Sequence, residues 1–487
     1  MVMAHRSDRI FPSTGRRAFA ASLAVLFAAL PAFAQVVERD VPAKDRSLLE
    51  VTVYNGNLAL VHETRKLSLV KGLNRLAFTG VSPAMQPATA SVVLRSEKPA
   101  APVDQIFAFD LLTPEALLRH SVGKTVRVIR TNPATGEEKT ESAKVLSAQE
   151  GVVLQIGDRI ETGIPGRIAF DALPATLREK PTLLATFDAA DAQPATLDLR
   201  YLTGGMTWQA DYVAQLDKTG STLALQAVAT ITNNSGAAYE DATLRLVAGA
   251  INQGPPPGIQ PGMRAMAAKE AFAVAPPIAP QAMGDMHLYP IPRKATLADR
   301  ETRQIVLFDA ARVPVVKEFR IVGDAGLYMR RFGDPIKVNA ERRLRFKNEK
   351  AAGLGAPMPA GTVRVYGGSE HVSDAFLGAD RIEHTAGGEE ITLALGDAFD
   401  ITATRVQTDF RTQGLPKNAS ESAYELTIRN ATPNAVTVKV VEHLPGDWEI
   451  LASSQQYKKT ASDQVEWSIA IPAESEKALT YKARVQR

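Results

Sequence analysis

Across residues 47 to 95, apolar and polar positions alternate in short runs broken by turn residues, the pattern of strands with one buried and one wet face. Val51-Thr52-Val53-Tyr54 and Leu58-Ala59-Leu60-Val61 flank Asn55-Gly56, whose tolerance of positive φ predicts a hairpin. Leu67 and Leu69 alternate with Lys66 and Ser68, Lys71-Gly72 turns the chain into Leu76-Ala77-Phe78, and Ser91 to Leu94 closes the segment. One short helix is predicted, capped by Thr113 with Pro114 and Glu115 behind it and ending near Gly123. From Lys124 the closely spaced strands and tight turns predict a small barrel-like β domain inserted over residues 101–180.

Between Leu197 and Gly249 the alternation predicts a meander, with Leu223, Leu225, Ala227, Ala229 and Ile231 on one face of its third strand. In the second strand, Met206, Trp208, Ala210, Tyr212, Ala214 and Leu216 share a face, so Asp211 points away from Trp208. Gly204-Gly205 stands where the chain must reverse before it, and glycine supplies positive φ there. Pro255-Pro256-Pro257, Pro261, Pro276-Pro277 and Pro280 interrupt the pattern and predict a mobile loop over 254–280. Strands resume after Pro292, and from Gly361 a second set begins. Tyr424, Leu426 and Ile428 alternate, a turn follows at RNATPNA, and Val436, Val438 and Val440 alternate again. This plan echoes ITNNSGAAYEDATLRL and predicts two modules of one architecture. The expected fold is mainly β: immunoglobulin-like β-sandwich modules plus the inserted domain, divided at 35–100, 101–180, 181–360 and 361–487.

Charge alters this picture only at the N-terminus. Arg6, Arg9, Arg16 and Arg17 precede the apolar run Ala18 to Phe33, which ends in Ala32-Phe33-Ala34. This is the make-up of a cleavable export signal over residues 1–34, cut between Ala34 and Gln35, by the general or the twin-arginine route. The full chain has 56 basic and 53 acidic residues; removing four basic and one acidic residue leaves 52 of each. A balanced chain without Lys/Arg-rich runs argues against nucleic acid as a partner. With no cysteine there is no disulfide, thiolate metal site, cysteine nucleophile or lipid-bearing cysteine. No later segment is apolar enough over a sufficient length for a spanning helix, so the expected location is the periplasm or the outer surface.

No nucleophile elbow, phosphate loop, dinucleotide fingerprint or zinc-binding helix motif occurs, and no cofactor is expected. Two candidate groups remain. His371, Asp374, Asp380 and His384 are of metal-ligating type, although their spacing fits no helical or hairpin site. Trp448 stands among Glu442, Asp447 and Glu449, a combination suited to stacking on a sugar ring, while hydrolysis of a glycosidic bond would need two carboxylates flanking it and no particular pair is marked by the sequence. His443 reads as a strand-end residue beside a Pro-Gly turn.

YLTGG-x-x-WQADY with ITNNSGAAYEDATLRLVAGAIN resembles the bacterial family known as domain of unknown function 4139. VTVYNGNLALVHETRKL, LYPIPRKATLADRETRQIVLF, LGAPMPAGTVRVY and LTIRNATPNAVTVKVVEHLPGDWEI resemble further blocks of it. On this resemblance Tyr201, Gly204, Gly205, Trp208 and Tyr212 are a family signature, expected to be structural, and no catalytic residue carries over. Relatives include mucoidy-inhibitor-type proteins, named for suppressing surface polysaccharide, which typically carry a helical stretch before the shared domain. Residues 100 to 180 read here as strands instead. The expected function is an exported, non-enzymatic envelope protein acting through protein or glycan contacts. The alternative is a carbohydrate-active hydrolase with an acid pair in a sandwich cleft.

Overall fold

The computed structural model describes residues 38–164, 166–174, 176–249, 281–283, 286–369, 372–414 and 419–486. The expected export signal with its cut between Ala34 and Gln35, and the Pro-rich segment 254–280, lie outside the described residues. Among those described the chain is mainly β, as its alternation predicts. No helix there is long and apolar enough to cross a membrane.

Two sheets carry the first core. One runs Gln281–Met283, Met286–Pro290, Tyr239–Ala248, Arg46–Tyr54, Leu58–Leu69, Gln193–Thr203, Ser91–Ser96, with Ala295–Leu297 also paired to Tyr239–Ala248. The other runs Glu301–Pro314, Thr222–Asn233, Met206–Leu216, Gly361–Ser369, Val372–Ile382. Their inner faces meet in a single hydrophobic cluster that includes Val51, Val61, Leu199, Tyr201, Trp208, Tyr212, Leu225 and Val363. The predicted hairpin forms with Tyr54 opposite Leu58, but across three residues, and Asn57 takes the positive φ of 54°. The predicted meander is split between the two sheets. Gln193–Thr203 pairs with Leu58–Leu69, whereas Met206–Leu216 pairs with Thr222–Asn233. Gly204-Gly205 is therefore a corner between sheets, because alternation fixes which side chains face inward and leaves the partner strand open.

A four-stranded sheet (Glu38–Asp40, Gly72–Thr79, Thr182–Ala189, Ala100–Ala108) adds Leu76, Phe78, Leu183 and Phe187 to this cluster. Between Ala100–Ala108 and Thr182–Ala189, which pair with each other, the chain inserts the predicted helix and a small sheet. The helix is Pro114–His120, and the Thr113 hydroxyl accepts from Ala116 N. The small sheet is a five-stranded antiparallel array from Thr125–Thr131 to Arg167–Ala169, with its own core of Val126, Val128, Ala143, Val145, Leu154 and Ile156.

The remaining strands form one nine-stranded sheet, from Asp447–Ser453 at one edge to Tyr457–Ala461 at the other. It is nearly closed. Trp448 Nε1, at the first edge, donates to Ser462 O at 2.7 Å, and Lys459 Nζ, at the second, lies 4.5 Å from the Trp448 ring centre. A single curling sheet thus encloses the second core of Trp467, Tyr328, Tyr424 and Tyr481, in a barrel-like arrangement. Strands are exchanged across the boundary expected at 361. Gly361–Ser369 and Val372–Ile382 serve the first core, while Ile321, Tyr328 and Ala340 serve the second. Glu390–Gln413 spans both, with Leu393 in one core and Ala403 in the other.

Candidate functional site

The signature residues build the wall of the sandwich. At Gly205, with φ 78°, an added Cβ would lie 2.6 Å from Asn234 O, so a side chain there collides with the neighbouring turn. Gly205 N donates to Asn57 Oδ1 at 3.0 Å, tying the corner to the hairpin. Trp208 Nε1 donates to Val247 O at 3.0 Å, and its ring meets Tyr289 of the opposite sheet at 6.0 Å. Tyr212 donates its hydroxyl to Pro359 O at 2.7 Å. Burial pushes the Tyr201 and Tyr212 hydroxyls well above the ordinary tyrosine range. All three aromatics are interior, and Asp211 lies on the other face, as the period demands.

That other face is a grid, because directly paired residues share a side of the sheet. One row across it reads Val306, Val228, Asp211, Thr362, Arg381. The next reads Asp309, Gln226, Val213, Arg364, Ala379, and a third Ala224, Gln215, Tyr366, Phe376. Phe376 is 60% exposed and Val306 52%, and the Tyr366 and Phe376 rings pair at 5.5 Å. Polar groups between them are held in place. Asp211 accepts from Arg364 Nη1 at 2.9 Å, Thr230 Oγ1 at 2.7 Å and Gln209 Nε2 at 3.3 Å. Burial alone would raise its carboxyl, but these donors outweigh burial and hold it below the usual aspartate range. Gln215 Nε2 donates to Asp374 Oδ1 at 2.9 Å. At the head of the face a cavity of about 230 Å³ opens, lined by Asn55, Thr207, Gln209, Thr362, Arg381 and His384.

The metal-type residues are used separately. His371 lies outside the described residues. Asp374 takes the Gln215 amide, and Asp380 accepts from Ala394 N at 2.7 Å and Arg381 N at 2.8 Å. His384 Nδ1 accepts from Ala360 N at 3.1 Å, which makes Nε2 the donor of the neutral ring. A neutral ring in that tautomer has no second lone pair to give a metal. His287 stands near it; burial first, and His384 second, lower the His287 pKa.

The acid–tryptophan group divides in the same way. Glu442 is fully buried, with Arg405 Nη1 bonded to its Oε2 at 2.8 Å and Nη2 at 2.7 Å from Oε1. Tyr328 also donates to Oε2 at 2.8 Å and lies 2.8 Å from the Tyr481 hydroxyl. Burial comes first in pushing the Tyr328 and Tyr481 hydroxyls up, and the Glu442 charge adds to it. Gly323 makes room, since a Cβ there would overlap the carboxylate. Glu442 therefore cannot meet a glycan at the surface, a placement its neighbours in sequence do not reveal. Trp448 belongs to the barrel seam, Asp447 is exposed, and Glu449 Oε2 lies 3.8 Å from Arg484. His443 ends its strand as expected.

A larger cavity, about 710 Å³, lies where the four-stranded sheet meets the sandwich; Lys44, Arg46, Lys180, Glu179, Glu240 and Asp241 are among its lining. Arg46 on this lining and Arg65 behind it both pair with the fully buried Glu63. Burial pulls the Arg65 pKa down, with Glu63 opposing.

Arg364, Tyr366 and Phe376 were not singled out from sequence. The available signal was an arginine and an aromatic ring on the polar phase of GTVRVYGG. A family model described as Domain of unknown function (DUF4139) matches residues 197–486. No curated protein matches the chain.

Proposed function

The chain belongs to the DUF4139 family, and from that premise we propose that it is an exported, non-enzymatic protein of the cell envelope that works by contact with a glycan or another protein. One observation carries this reading. The outward face of the five-stranded sheet presents an aromatic pair, exposed valines and preset hydrogen-bonding groups on a scaffold that leaves them nothing to pack against among the described residues. Such a combination of exposed apolar rings and oriented polar groups is the composition of a recognition surface. Export is supported by the basic and apolar segment ending at Ala34. A role in surface-polysaccharide or envelope homeostasis follows if the contact is with a glycan.

A second reading, polysaccharide hydrolysis, is favoured by the acids Glu179, Glu240 and Asp241 around the larger cavity. Fractionation and turnover separate the two. The contact reading expects the protein in the envelope fraction, retaining envelope material without releasing new sugar ends. Steady release of sugar ends, abolished by Glu240→Gln or Asp241→Asn, would establish the hydrolase instead.

A further inference from the structure

Resting on that reading, we propose that the outward sheet face binds a neutral oligosaccharide chain, its terminal ring seated in the cavity beside His384 and its body running to Tyr366 and Phe376. The face has the right length. From Thr207 to Gln215 the strand covers eight residue steps, ~26 Å at the usual rise, enough for several sugar rings in line. Its two ends differ as the two ends of such a chain would require. The head is a concave polar cavity of about 230 Å³, below the ~300–1,000 Å³ of sites for larger ligands, with room for one ring. There Arg381 and His384 Nε2 supply donors, and the Asn55 side-chain oxygen is a buried acceptor without a partner among the described residues. At the foot the Tyr366 and Phe376 rings meet with planes 59° apart, and the exposed Phe376 ring offers a face to the C–H face of a sugar.

Charge selects against polyanions. Asp211 is neutralised by Arg364, and Asp309 and Asp374 are set against Arg381 on the same face. A face without excess positive charge does not attract a polyanion, and a neutral chain is not repelled by it. An extended peptide is the rival occupant. The sheet is already paired on both sides of Met206–Leu216 and Gly361–Ser369, so a peptide on this face finds no free ladder of backbone groups.

Titration calorimetry on the signal-free chain tests this with neutral hexasaccharides of several linkages, the same chains tethered to a resin at their non-reducing or reducing end, polygalacturonate, and a random peptide pool. The expected result is binding of a neutral hexasaccharide that one of the two tethers abolishes. Phe376→Ala should weaken it on the order of tenfold, and His384→Ala should remove the dependence on a free end. Both variants should keep the thermal midpoint, since neither side chain belongs to a core cluster. Unchanged affinity in Phe376→Ala, binding indifferent to both tethers, or preference for peptide or polygalacturonate overturns the inference. If the chain retains envelope material equally well with Phe376→Ala, the face is excluded while the contact function stands. If the intact chain retains nothing, both fall.

Discussion

Asn233 and Asn430 occupy the same place in two different cores and are bonded in the same way. The Asn233 amide nitrogen donates to Ala237 O, Leu297 O and Ala298 O, and its oxygen accepts from Ser235 N and Oγ. Asn430 serves Asn434 O, Ile471 O and Pro472 O, and accepts from Thr432 N and Oγ1. Both are fully buried, so removing either amide strands several backbone carbonyls away from water. Asn233→Ala and Asn430→Ala are each expected to cost about 2–4 kcal/mol, read as a lower denaturant midpoint at unchanged slope. The echo between the two turns was visible in the sequence, whereas the role of the asparagines was not, because it depends on backbone carbonyls 64 and 42 residues away. Glu442 teaches the same lesson from the opposite side. Its neighbourhood in sequence suggested a surface group; its partner Arg405 is 37 residues away. Arg405→Met should destabilise by about 3–5 kcal/mol by leaving a lone buried carboxylate, while Arg405→Met with Glu442→Leu recovers most of that loss. Chemical denaturation of the two variants and Glu442→Leu completes the cycle.

At the scale of elements, alternation was a reliable guide to faces. Met206–Leu216 buries Met206, Trp208, Ala210, Tyr212, Ala214 and Leu216, the set its period names. It was no guide to sheet membership, since a period of two is satisfied equally by any neighbour of the right phase. Turn chemistry was legible where it is local. In the turn after Leu216, Asp217 takes the Thr219 hydroxyl at 2.6 Å and the amides of Ser221 at 2.8 Å and Thr222 at 3.0 Å. The Thr219 hydrogen bond and then these amides lower its carboxyl from 3.8 to about 2. A depressed carboxylate stabilises the fold fully above its unfolded value and loses that contribution as pH falls through the folded one. The stability difference between the parent chain and Asp217→Ala should therefore be constant above pH ~4 and shrink towards pH ~2. Denaturation at stepped pH reads this directly, and a difference that grows on acidification would refute it.

For the whole molecule, the family match begins at residue 197, inside the strand Gln193–Thr203. Its partners on both sides, Leu58–Leu69 and Ser91–Ser96, precede the match. Tyr239–Ala248 likewise pairs in parallel with Arg46–Tyr54. A fragment 197–486 would expose Leu197, Leu199 and Tyr201 along a bare edge. It is expected to aggregate or lack a cooperative transition, where 38–486 shows one; scanning calorimetry of the two decides. The mainly β architecture, the short helix and the inserted small sheet were all legible in the chain. The sharing of Glu390–Gln413 between two cores was not, because the pattern repeats without marking where one core ends.

The central claim is that the outward sheet face touches an envelope glycan, and a photocrosslinker at Phe376 tests it most directly. With p-benzoylphenylalanine in place of Phe376, irradiation of intact cells should give heterogeneous adducts that collapse on glycosidase treatment and resist protease once the chain itself is digested. A discrete adduct that protease removes, or no adduct at 376 while the same probe reacts at Glu161 on the inserted sheet, would contradict the account.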